Sequence, residues 1–175
     1  MDALSIRLAR PGDGAALAEI YRPYVLDTAI TFEYEAPDGE EMARRVVRTL
    51  ERYPWLVAEL DGVPAGYAYA SAFKNRAAYD WAVETSIYLA RELRGRGIGR
   101  VLHDALEKAL AKQNVLNLNA CIAYTEQETA RLTRASVRFH EKLGYRLVGR
   151  FHQCGYKFGT WYDMVWMEKM LGPHG

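Results

Sequence analysis

Residues Arg91–Leu106 read RELRGRGIGRVLHDAL: four arginines and three glycines fall within residues 91–100, and the chain then turns into an apolar helical stripe. Glycine loses more backbone freedom on folding than any other residue, so Gly95, Gly97 and Gly99 at alternate positions need a reason beyond connection. They let successive backbone N–H groups turn inward at the first turn of a helix, where the helix dipole also favours negative charge. The stretch therefore predicts a strand–loop–helix unit built around an anion, with a phosphate as the natural guest. A ligand-free tight connection would account for one or two of the glycines. Two familiar phosphate loops are excluded: GxxxxGK[ST] needs a Lys and a hydroxyl that are missing, and GxGxxG needs glycine where Arg100 stands.

Working outward, Val101, Leu102, Ala105, Leu106 and Ala109 form an apolar stripe on a helix running to about Lys112, and Trp81–Leu89 and Val115–Ala123 read as the flanking strands. At the N-terminus, Ser5–Arg10 alternates as a strand with Ile6 and Leu8 facing inward. PGDG then breaks it, with Asp13 set to cap a helix bearing Leu17 and Ile20. An irregular stretch, VLDTAITFEYEAP, leads to Asp38 and a helix over Gly39–Tyr53 that Pro54 ends. Trp55–Leu60 and Ala65–Ala70 flank the turn sequence DGVP and predict a hairpin. After the polar AYTEQETARLT come a helix over Arg134–Leu143, closed by a left-handed Gly144, then strands over Tyr145–Phe151 and Trp161–Met170. Residues 172–175, GPHG, read as a tail beyond a folded core of 1–171. This order predicts one α/β domain around a mixed sheet.

Composition narrows the function classes. The chain has 175 residues, half of them apolar, and a formal net charge of +1, so neither a nucleic-acid surface nor a membrane partner is suggested. No apolar run reaches spanning length. Cys121 and Cys154 have no paired spacing, and MDALSIRLAR does not resemble a leader, which together lead to the expectation of a cytoplasmic protein. No metal-ligand set is expected.

Arg94–Gly99, RGRGIG, resembles the R/Q-x-x-G-x-G/A signature of the GNAT superfamily of acetyl-CoA-dependent N-acetyltransferases. KNRAAYDWAVETSIYL (Lys74–Leu89), FHEKLGY (Phe139–Tyr145) and CGYKFGTWYDM (Cys154–Met164) look like the phosphinothricin acetyltransferase family within it. The resemblance implies a single-domain, mostly antiparallel mixed sheet flanked by helices, with acetyl-CoA as co-substrate. By the same resemblance, the amides of Gly95, Arg96, Gly97, Ile98, Gly99 and Arg100 hold the coenzyme pyrophosphate, and Arg94, Arg96 and Arg100 add positive charge. The backbone of Ile87, Tyr88 and Leu89 lines the pantetheine path.

Acetyl transfer to an amine needs a group to take the amine proton. On Trp81–Leu89, Glu84, Ser86 and Tyr88 alternate to one face, and Val83, Thr85, Ile87 and Leu89 to the other. A carboxylate in such a strand is expensive unless paired or used. On its own, Glu84 reads equally as a strand-end glutamate in water or in a salt bridge. The resemblance makes it the general base, acting directly or through water, with His140 assisting and Tyr88 projecting toward the acceptor. His140 and Tyr88 also read as buried core residues. Cys121 has no histidine nearby in sequence, and a buried structural thiol is expected there, which favours direct attack over an acetyl-cysteine.

The resemblance further implies an acceptor pocket built from Phe32, Lys74, Asn75, Arg76, Tyr79, Glu84, Thr85 and Ser86, with the cations on acceptor oxyanions, and a homodimer with that pocket near its interface. It points to N-acetylation of phosphinothricin, methionine sulfoximine or a related small amino-acid-like amine. Transfer to a protein N-terminus or polyamine, or a non-catalytic acyl-CoA-binding module, are the alternatives. One departure is Thr133, where many members of the family carry an asparagine, which leaves the coenzyme contacts of the Tyr124–Thr133 region open.

Overall fold

A computed structural model describes residues 2–175. Its strands are β1 (Leu4–Leu8), β2 (Trp55–Leu60), β3 (Val63–Ala72), β4 (Ala82–Leu89), β5 (Asn117–Tyr124), β6 (Arg146–Lys157) and β7 (Thr160–Met170). Its helices are α1 (Gly14–Asp27), α2 (Gly39–Leu50), α3 (Ile98–Lys112) and α4 (Ala135–Lys142). The strands form one sheet in the order β1-β2-β3-β4-β5-β7-β6, in which every pairing is antiparallel except β4 with β5. This is the mostly antiparallel mixed sheet that the resemblance implies.

The two faces of the sheet bury different helices. Ile98, Leu102, Leu106 and Leu110 recur every four residues along α3 and pack on Val83, Leu118 and Ala120. On the other face, Leu17, Tyr21, Tyr24 and Val25 of α1 and Met42 and Val46 of α2 cover Trp55, Val57 and Tyr67. α2 starts where expected: the Asp38 side chain accepts a hydrogen bond from the Glu41 N–H at 2.8 Å, with Glu40 and Glu41 in the first turn.

Four sequence expectations are corrected. Asp13 precedes α1 but makes no side-chain cap; its carboxylate takes two hydrogen bonds from the Arg7 guanidinium, each 2.8 Å, and one from the Arg10 N–H. The stronger charge-assisted fork displaces the cap. Leu8 does not face inward, being 58% exposed where edge strand β1 runs out. β3 is longer than the predicted segment, reaching Ala72. β6 also continues past Phe151 to Lys157, because Phe158 and Gly159, both at positive φ, make a two-residue hairpin turn to β7 and a bulge between Phe151 and Gly155 absorbs the irregularity.

The pairing that positions the site is the shortest. β4 and β5 share only Ala82↔Asn117, Val83↔Leu118 and Glu84↔Asn119. Beyond them β4 follows β3 as far as Leu89↔Gly66, while β5 follows β7 to Tyr124↔Asp163. A V-shaped cleft opens immediately after Glu84.

The α1–α2 contact has no spare volume: a Cβ on Gly14 would lie 2.2 Å from the Gly39 carbonyl oxygen. Gly14→Ala is therefore expected to cost about 1–3 kcal/mol through overpacking, read as a lower urea midpoint at unchanged m-value.

Candidate active site

The cleft between β4 and β5 encloses about 700 Å³. Ser86–Leu89 line one wall and Ala120–Ala123 the other; Gly95, Gly97 and Gly99 lie at its end, and Ser136 and His140 of α4 also line it. Gly95 and Gly97 have φ of +77° and +81°, and a Cβ at either would meet nothing within 4 Å, so backbone conformation rather than packing demands glycine. Gly97 stands at the N-cap of α3 without a side-chain cap, leaving that end of the helix to accept an anion. Gly99 has a different reason, a Cβ there lying 3.2 Å from the Phe139 ring. Arg94 and Arg100 line the cleft, whereas Arg96 is engaged with Asp2 at 2.7 Å.

Glu84 lies at the vertex. It has no hydrogen-bond or ion-pair partner among the described residues, and burial raises its pKa, partly offset by the charge of Lys74. Cys121 lies on the same face of the sheet, exposed because the parting strands leave β5 uncovered there, which corrects the expected buried thiol. Its crowded surroundings and Glu84 push the thiol pKa up to about 12. Tyr88 turns its ring into the aromatic layer beneath α1, with centroids 4.9 Å from Tyr21 and 5.2 Å from Tyr24, while Tyr24 donates to the Leu89 carbonyl at 2.5 Å.

A second cavity, of about 980 Å³, lies on the other side of the Glu84↔Asn119 pair and is lined by Asn119, Phe73, Lys74, Tyr79 and Trp166 among others. Of the residues expected to hold an acceptor, Lys74 and Tyr79 are here; Thr85 and Ser86 line the first cleft instead, and Glu84 lines neither cavity. Asn75 and Arg76 are exposed and do not line it. Phe32 packs elsewhere, its ring 6.4 Å from that of Tyr162 and against Gly155. Trp166, on an aromatic strand, reads from the sequence either as core or as a contributor to this pocket, and the structure places it in the lining; Phe73 was not anticipated, and only its adjacency to Lys74 offered a signal.

Residues 6–166 match the Acetyltransferase (GNAT) domain family. The chain is 36% identical to a phosphinothricin N-acetyltransferase of Streptomyces viridochromogenes, covering 95% of this chain and 87% of that protein. It is 33% identical to an L-methionine sulfoximine/L-methionine sulfone acetyltransferase of Salmonella typhimurium, covering 98% and 96%. The chain belongs to the GNAT acetyltransferase family. Among solved structures, a GNAT superfamily phosphinothricin acetyltransferase from Sinorhizobium meliloti, in complex with AcCoA, superposes with a TM-score of 0.86 at 37% identity, covering 97% of this chain and 89% of that one.

In this GNAT domain the vertex of the cleft is held by a buried polar chain that sequence reading did not find. Thr85, on the face opposite Glu84, is 3.0 Å by its hydroxyl from the Tyr145 hydroxyl and 3.5 Å from the Asn119 carbonyl, and the Tyr145 hydroxyl is 2.8 Å from Nε2 of His103. Nδ1 of His103 is buried with no hydrogen-bond partner, Glu107 being 4.0 Å away. A buried N–H without an acceptor costs more than an unused lone pair, so the proton sits on Nε2. The bonds then run one way, from His103 to Tyr145 to Thr85 to the carbonyl of Asn119. The Tyr145 ring also stands edge-on to His140, with centroids 4.9 Å apart. Nδ1 of His140 donates to the Ser136 carbonyl at 2.7 Å, which leaves Nε2 as an acceptor, and burial lowers the pKa of the ring, partly offset by that bond. No helix is long and apolar enough to cross a membrane, and no metal-holding cluster occurs among the described residues.

Burial pushes the pKa of His103 down to about 3, so the folded state keeps it neutral while the unfolded chain takes up a proton below about 6.5. Its contribution to stability is flat above that pH. It falls by about 1.4 kcal/mol per unit as the pH drops from about 6.5 toward 3. His103→Gln keeps a donor for Tyr145 and should lower the slope of unfolding free energy against pH by one proton between pH 6 and 4, measured by urea titrations.

Proposed function

We propose that the chain transfers the acetyl group of acetyl-CoA to the α-amino group of a small amino-acid-like acceptor, of the class of phosphinothricin or methionine sulfoximine, by direct attack with Glu84 as general base. The observation that carries this reading is the place of Glu84: an unpartnered carboxyl of raised pKa in the last β4–β5 pair, whose partner Asn119 lines the aromatic cavity holding Lys74 and whose neighbour Thr85 lines the glycine-loop cleft. The relatives named for phosphinothricin and methionine sulfoximine acetylation support the acceptor class.

The residues of the cleft fit acetyl-CoA. Left-handed Gly95 and Gly97 and the uncapped start of α3 suit its pyrophosphate, with Arg94 and Arg100 adding charge. Backbone groups of β4 beyond Glu84, those of Ile87 among them, have no β5 partner and are free for the pantetheine amides. The coenzyme supplies an activated acyl carbon. Glu84 takes the proton of the acceptor ammonium, and burial brings its proton affinity toward what that task requires. Lys74 holds the acceptor carboxylate. His140 assists as a neutral imidazole, and Tyr88, a half-buried phenol whose pKa is raised, serves as wall. With its thiol pKa raised to about 12, Cys121 stays protonated, which favours direct attack over an acetyl-cysteine. The reading extends to a cytoplasmic homodimer, supported by two free cysteines and by exposed Leu147, Val148, Phe151 and Trp161 on the β6–β7 hairpin.

Glu84→Gln should lower turnover roughly 10²-fold or more with acetyl-CoA affinity retained; wild-type turnover across the pH profile, followed by thiol release, would leave Glu84 a structural residue. Gly97→Val, which forces a β-branched residue to positive φ, should weaken acetyl-CoA binding in calorimetry while the fold persists.

A further inference from the structure

The side of the site away from the coenzyme cleft carries information about the acceptor that neither the glycine loop nor Glu84 supplies. β3 and β7 are separated by β4 and β5, three inter-strand spacings or roughly 14 Å. Yet the rings of Phe73, just past the end of β3, and Trp166, on β7, have centroids only 5.5 Å apart at 85°. Trp166 pairs with Cys121, and its neighbours Val165 and Met167 face α3, so Trp166 lies on the Glu84 face of the sheet. The two side chains therefore meet across β4 and β5, over the face that carries Glu84. Tyr79 extends the row, its ring 5.9 Å from Phe73 at 66°.

The charges along this wall are few: Lys74, Arg150 and Glu168, with His174 and the C-terminal Gly175 also in the lining, and the Glu168 carboxylate adds to the cost of placing a second anion there. Arg150 lines the cavity but is bound by Asp163 and Glu126. Lys74 has no carboxylate partner among the described residues; its Nζ rests 5.1 Å from the Phe73 centroid and 6.0 Å from that of Trp166. One free cation beside an aromatic wall suits one carboxylate and one apolar body. A second anion, such as a side-chain phosphinate, would lose its water against Phe73 and Trp166 with no partner to replace it.

Resting on the reading of the chain as an amino-acid N-acetyltransferase, we infer that its preferred acceptor is an α-amino acid with an aromatic side chain: the carboxylate binds Lys74, the ring packs on Phe73 and Trp166, and the amine faces Glu84. An aromatic guest continues the edge-to-face pattern that the three rings already make.

The test compares L-phenylalanine, phenethylamine and phosphinothricin as acceptors for the full-length protein, followed by thiol release. The kcat/KM for L-phenylalanine should exceed that for phosphinothricin by about tenfold or more, the usual range for a matched apolar pocket. Lys74→Met should raise the KM of L-phenylalanine by about tenfold or more without raising that of phenethylamine, which lacks the carboxylate. Trp166→Leu should lower kcat/KM for L-phenylalanine about tenfold with the KM of acetyl-CoA unchanged; Phe73→Leu, on the loop, serves the same purpose if Trp166→Leu does not fold. Equal or better use of phosphinothricin would overturn this inference and leave the amino-acid reading standing. Acetylation of neither amino acid by a protein that still binds acetyl-CoA would overturn both.

Discussion

The site depends on one constraint: β4 and β5 stay paired through Glu84↔Asn119 and then part. Each strand keeps an antiparallel partner on its outer side, so the sheet does not fray where it opens. The exposed ladder end is finished by side chains, Thr85 reaching the Asn119 carbonyl and receiving the Tyr145 hydroxyl, which in turn receives His103. These groups are nearly inaccessible to water, and a buried polar chain of this kind specifies one geometry only when its members are satisfied together. Tyr145 follows α4 and also meets His140, so the place where the strands part and the orientation of a cleft-lining imidazole are set by the same residue.

The electrostatics of the vertex follow from that opening. The uncovered faces of β4 and β5 present Glu84 and Cys121 together; burial raises the cost of ionising each, and the Glu84 carboxylate raises it further for the thiol. Lys74 lowers that cost for both from above the aromatic wall. The proton affinity of the carboxyl is thus tuned by burial against one cation, without a fixed ion pair that would hold it ionised. The thiol, its pKa pushed up to about 12, is kept protonated although it lines the cleft.

Two cavities flank the Glu84↔Asn119 pair and differ in what they can bind. Backbone amides and arginines dominate the end of one, while rings and a single free lysine dominate the other. The acyl transfer proposed above, from a phosphate-bearing carrier to a small amine, uses that division, because orienting two partners at one place supplies a large part of such a rate.

Much of this was legible in the residue order. RGRGIG needed no structure to be read as an anion loop, since left-handed glycines ahead of a helix have few other uses, and the period of Leu102 and Leu106 placed α3 behind it. The alternation along Ala82–Leu89 likewise put Glu84 and Val83 on opposite faces, because a strand has no other choice. What the sequence did not decide were the contacts between segments distant along the chain. Asp13 looked like a cap until Arg7 came within reach; the Arg96 side chain, in a loop rich in arginine, meets Asp2 from the far N-terminus, and Phe32 packs against Gly155 rather than beside Lys74. Thr85, Tyr145 and His103 lie 60 and 42 residues apart by their hydrogen bonds, and Phe73 and Trp166 are joined only by the sheet between them. Local spacing dictates which groups a segment can offer, but desolvation and pairing depend on neighbours that only the tertiary fold brings in, and those decide which of the offered groups stay free to act.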